Sequence, residues 1–133
     1  MRAYDVAVGA LALDVDRKWL DNLIAHHDIR GVERFARGVS RRLSMRALLT
    51  AAIVRDLQRE LAVPAARAVE IAQRLLAGHH SDLALTPALS VRLDLAALER
   101  EIAHRLIHAM ETAAPRRRGR PPGHSRKSER GTP

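Results

Sequence analysis

The sequence predicts a mainly α-helical fold in which short helices are interrupted by one β-hairpin and followed by a C-terminal helix and a disordered basic tail. Three observations carry that expectation. Apolar residues recur at three- and four-residue spacing through residues 17–27, 44–61, 64–77 and 94–113. Two glycines, Gly31 and Gly38, punctuate a stretch, residues 31–43, whose period is nearer two than 3.6. Beyond Pro115 the composition turns to Pro, Gly, Arg and Ser, which cannot bury enough apolar surface to order a chain. At 133 residues the chain suffices for one modest core. It divides by pattern into residues 1–78, a connector and C-terminal helix over 79–114, and a tail over 115–133.

Asp5 to Leu13 is rich in Val, Ala and Leu and reads equally as a short helix or a strand. After the turn-like Asp14-Val15-Asp16, Trp19, Leu20, Leu23 and Ile24 share one helical face, with Asp16 placed to cap. Two helices about a three-residue turn make a helix-turn-helix, its second helix running from about Arg17 to His27. Residues 31–43 then form the hairpin. Ser44 caps a long helix whose stripe is Leu48, Leu49, Ala52, Ile53, Leu57 and Leu61. Pro64 opens a further helix with Val69, Ala72, Leu75 and Leu76 inward, stopped at Gly78. In the connector, Leu89, Val91 and Leu93 alternate with Ser90 and Arg92 as a short strand. Asp94 caps the last helix, whose Leu95, Leu98, Ile102, Leu106 and Ala109 form a stripe that one small domain is not expected to cover.

Charge is distributed unevenly. The net charge of +8 is mostly a tail property, since residues 115–133 carry +6. Within the body, eight basic residues between Arg17 and Arg46 (Arg17, Lys18, Arg30, Arg34, Arg37, Arg41, Arg42, Arg46) face only Asp21, Asp28 and Glu33, while the rest of the body is net negative. Such a segment is either a solvated face or a polyanion-binding one, and the hairpin arginines favour the second. Aromatics are limited to Tyr4, Trp19 and Phe35, too few for the stacking platforms that read single strands or RNA loops. Duplex DNA passes that test. The absence of cysteine excludes thiolate zinc sites, disulfides and thiol redox switching. Val6 to Leu13 is too short to span a bilayer and is flanked by Asp5 and Asp14, so a cytoplasmic, nucleoid-associated protein is expected.

The order helix, turn, helix, basic hairpin, helix, helix is that of a winged helix-turn-helix, and residues 5–77 resemble the MerR-like DNA-binding domain. The resemblance rests on Val8 to Ile24 for the paired helices, Gly31 to Leu43 for the wing, and Ser44-Met45-Arg46-Ala47-Leu48-Leu49 with Ala62-Val63-Pro64-Ala65 for the next two helices. It implies a recognition helix in the major groove, offering Arg17, Lys18 and Asn22, and a wing whose Arg34, Arg37, Arg41 and Arg42 hold backbone phosphates. Where family members often place an arginine and two aromatics, this chain has Arg17, Lys18 and Trp19. The long coiled coil and the effector-binding cysteines are missing, so metal-responsive activation does not carry over.

Arg117-Arg118-Gly119-Arg120-Pro121 resembles an AT-hook: glycine lets the backbone lie on the minor-groove floor, arginines enter the negative slot, and proline keeps the segment extended. Pro122 and Gly123 depart from the pattern, and a plain basic tail is the alternative. Trp19, beside Leu20 and Leu23, is expected as a core anchor. His26-His27 and His79-His80 suit helix C-termini. Glu101, His104, His108 and Glu111 share a helix face, read as a solvated or dimer-rim stripe ahead of a metal site. No phosphate loop, nucleophile elbow or paired-carboxylate pocket is visible, so neither an enzyme, a cofactor nor a small-molecule ligand is expected.

The sequence therefore predicts sequence-specific binding to double-stranded DNA by a homodimeric transcription regulator. The alternative is an interaction module, such as an antitoxin or adaptor, that binds a partner protein through its C-terminal helix.

Overall fold

The computed structural model describes residues 2–33, 41–78 and 82–113 of the chain. In chain order the elements are β1 (Ala3–Asp5), α1 (Val6–Leu13), α2 (Arg17–His26), β2 (Val32–Glu33), β3 (Arg42–Ser44), α3 (Met45–Leu61), α4 (Ala65–Ala77), β4 (Asp82–Thr86), β5 (Leu89–Arg92) and α5 (Leu95–Ala113). The fold is mainly helical, with two small antiparallel sheets among the described residues.

The ambiguous opening segment is a helix, with a short strand directly before it. Asp5 ends a three-residue strand and, in extended conformation, accepts a hydrogen bond from the Val8 N–H at 2.8 Å, so the helix begins on the next residue. β3 is the central strand of the first sheet: β1 lies on one side, with Ala3 opposite Ser44 and Asp5 opposite Arg42, and β2 on the other, with Val32 opposite Leu43. The pleat sends Leu43 wholly into the core and Arg42 to solvent. Residues 34–40, between β2 and β3, lie outside the described residues. Gly31 closes onto this sheet with φ +93°, and a Cβ there would collide with the Ser44 hydroxyl that caps α3. Only glycine meets both conditions.

Ser44 caps α3 as its position predicts, its Oγ accepting from the Ala47 N–H at 3.2 Å. The α3 stripe departs from the expectation at its end. Leu61 is 67% exposed, because the chain turns at Ala62 in the left-handed region, and the inner face instead takes in Ala51, Val54 and Arg55. α4 follows with Pro64 as its N-cap, burying Val69, Ala72 and Leu75, with Leu76 half-buried; Gly78 is its C-cap. Gly9 lets α1 approach α3, since a Cβ there would lie 2.9 Å from Leu48 Cδ2.

The connector is a hairpin rather than a single strand: β4 pairs with β5, Leu83 opposite Val91. Leu83, Leu85 and Val91 are half-buried on its inner side. α5 then lies along α1, and Leu98, Ile102, Leu106 and Ala109 join the same core as Leu13, Leu20 and Leu48. This corrects the expectation of an uncovered stripe. Burial of each leucine or isoleucine contributes about 1.5–3 kcal/mol, and that apolar surface is used within the chain. The argument for a dimer built on α5 goes with it. No helix among the described residues is long and apolar enough to cross a membrane.

Candidate nucleic-acid interface

α2 buries Leu20, Leu23 and Ile24. At 100° per residue the opposite side is centred on Lys18, Asn22 and Ala25, all exposed. Arg17 stands on the flank of that face, paired with Asp21 at 3.9 Å across one turn; both side chains are largely in water, so the pair is weak and Arg17 can exchange partners. Lys18 makes no ion pair among the described residues. Of the expected contact residues, Lys18 and Asn22 thus share one solvent-facing surface, and Arg17 is exposed about 100° round the helix from Lys18.

The other flank of α2 is fixed by Trp19. Its ring is half-buried against the core and its Nε1–H donates to Gln58 Oε1 on α3 at 3.2 Å, as suits a core anchor with one polar handle. At the C-terminal end, His26 Nδ1 donates to the Asn22 carbonyl oxygen at 3.0 Å, one turn back on the same helix. His27 is the C-cap.

Two arginines that did not stand out in the sequence hold the turn between α1 and α2. Arg55 Nη1 donates to the Leu13 carbonyl oxygen and Arg59 Nη2 to that of Asp14, each at 2.7 Å. The last carbonyls of a helix lack intrahelical partners and carry partial negative charge, so two guanidiniums at this spot satisfy hydrogen bonds and the dipole together. Asp14 adopts φ 58°, a left-handed conformation without glycine, and its N–H returns to Leu11 O at 3.2 Å. The only sequence signal of the clamp is an i, i+4 arginine pair, one member of which interrupts an apolar face.

At the base of the hairpin, Arg42 is exposed but occupied. Its Nη2 donates to the Ala3 carbonyl oxygen at 2.7 Å, and its cross-strand neighbours are Asp5 and Glu33. The expected phosphate contact is therefore first a strand-pairing contact, surrounded by two acidic residues. Arg41 is half-buried just before β3. Arg34 and Arg37 lie outside the described residues, as do Arg117, Arg118, Gly119, Arg120 and Pro121 of the hook-like tail, and His79-His80. On α5, His104 and His108 are exposed with rings edge-to-face at 5.0 Å, while Glu101 pairs with Arg105 at 3.4 Å. No cluster of three or more metal-ligating side chains occurs among the described residues.

No family model, curated protein or solved structure matches this chain.

Proposed function

We propose that the chain is a winged helix-turn-helix protein, with the layout of a MerR-like domain, that binds double-stranded DNA sequence-specifically and regulates transcription at the nucleoid. The observation that carries this reading is the outward face of α2. A short helix locked to its neighbours by Leu20, Leu23, Ile24 and Trp19 presents Lys18, Asn22 and Arg17 to solvent. These side chains can reach base edges and phosphates when an α-helix enters the major groove. The order β1-α1-α2-β2-β3-α3-α4, with a three-residue turn and a hairpin whose strands flank Arg34 and Arg37, supports the wing assignment. The tail, with the sequence of a minor-groove grip, adds effective concentration to the same duplex.

Two copies on paired half-sites belong to this reading through the two-fold symmetry of such operators. An interaction module acting through α5 is less well supported, because its apolar stripe is consumed inside the chain. Selection from random duplexes by the full chain tests the proposal. A recovered motif that loses definition with Asn22→Ala supports it, and recovery of no preferred sequence overturns it.

A further inference from the structure

Between the start of α2 and the middle of α3 lies an open cleft of about 320 Å³, lined by Val15, Asp16, Trp19, Arg55, Gln58 and Arg59. Its polar groups are mostly hydrogen-bond donors. Gln58 spends Oε1 on the Trp19 indole, which leaves the amide NH2 without a partner among the described residues. Arg55, 6% exposed, bonds Asp56 through Nε and Leu13 through Nη1, and Arg59 bonds Asp14 through Nη2. Each guanidinium therefore keeps donors that the α1 carbonyls do not use. The first turn of α2 adds positive potential, because Asp16 makes no side-chain cap to it. Asp16 is the single carboxylate in the lining, beside two arginines, of which Arg55 is paired through Nε with Asp56 behind it. A buried arginine, a second arginine and an oriented amide in one cleft match the oxygens of a phosphoryl group.

We infer that this cleft binds a phosphoryl oxyanion, seated between Gln58 Nε2 and the free donors of Arg55 and Arg59. Its source is a backbone phosphate of the duplex that α2 reads, since Arg17 and Lys18 stand immediately beyond Asp16; that source rests on the DNA-binding proposal, whereas the anion preference of the cleft does not. A phosphorylated small molecule would offer the same chemistry.

Trp19 is the only tryptophan, so its emission and indole N–H resonance report on this cleft. The full chain is titrated with inorganic phosphate, with chloride at matched ionic strength, and with a duplex recovered by selection or, failing that, a random-sequence duplex. Phosphate is expected to shift the Trp19 signals saturably and chloride to leave them unchanged. Gln58→Glu keeps an oxygen acceptor for the indole but replaces the donor by a carboxylate; it should weaken phosphate binding about tenfold or more while the emission of the free protein stays in place. Arg59→Gln serves as a second variant if the first disturbs folding. Equal responses to phosphate and chloride, or unaltered phosphate binding in both variants, overturn the inference. If the duplex shifts the same signals and phosphate competes, the source is the DNA backbone. A duplex that binds without moving Trp19, while phosphate does move it, assigns the cleft to a free phosphorylated ligand. Phosphate binding with no duplex binding overturns the proposed function and leaves the anion site standing.

Discussion

Arg55 on α3 donates through Nη1 to the carbonyl oxygen of Leu13, the last residue of α1, at 2.7 Å from an almost fully buried side chain. Four residues on, Arg59 does the same for Asp14. The C-terminal end of α1 is thereby closed twice, by its own left-handed cap, in which the Asp14 and Val15 N–H groups return to Leu11 O and Ala10 O, and by two side chains of another helix.

Replacing Arg55 by Met keeps most of the packing but leaves the Leu13 carbonyl unsatisfied in the interior. A loss of about 2–3 kcal/mol is expected, because removing a hydrogen bond to a charged group exposes the buried partner's full desolvation cost. Urea denaturation of R55M checks this. Its Asp56 partner is 55% exposed and adds little. A variant as stable as the parent would show that the clamp does not support the fold.

Gly31→Ala meets both a left-handed φ and the Ser44 hydroxyl. It is expected to cost about 2 kcal/mol or more, beyond the roughly 1 kcal/mol of removing the cap with Ser44→Ala. The two changes should not add, since both act on the start of α3. Thermal melts of the single and double variants provide the test.

Ile102 is fully buried where α5 covers α1. Ile102→Ala should destabilise the whole chain by about 2–5 kcal/mol in one cooperative transition. Unfolding of α5 alone, ahead of the rest, would contradict the single core.

The proposed DNA contacts separate by their signatures. Lys18→Ala should lower affinity on all duplexes and reduce the log–log salt slope by about 1, as for a phosphate contact. Asn22→Ala, as a base contact, should cost about 1–3 kcal/mol at one position of the site and leave the slope unchanged. Deleting residues 115–133 should weaken binding and flatten the salt dependence while the footprint stays centred on the same bases. A footprint that moves would remove the tail from an accessory role.

What could be read from the chain was what local chemistry decides. Ser44 and Asp94 cap helices through bonds to residues three positions on, and the apolar spacing of α3 and α5 repeats within each helix. β1 was hidden because three residues carry no period, and its partner β3 lies 39 positions away. β4 was hidden because Asp82 and Ala84 are poor strand formers that only the β5 pairing sustains. At the candidate interface, the periodicity that buries Leu20 and Leu23 also exposes Lys18 and Asn22, so that face was legible. Arg42 and Arg55 were not: an arginine's sequence position does not reveal which backbone carbonyl it will reach.

The clamp on α1 has one further consequence. The turn between α1 and α2 is tied to α3 by side chains 42 and 45 positions downstream, while Asp14 supplies the left-handed conformation and Val15 an apolar contact with the core. Sequence drift in that turn is expected to be narrow at position 14, where Gly, Asn or Asp suits the left-handed backbone, and to keep an apolar residue at 15. Altering α3, by contrast, would re-aim α2 without touching it.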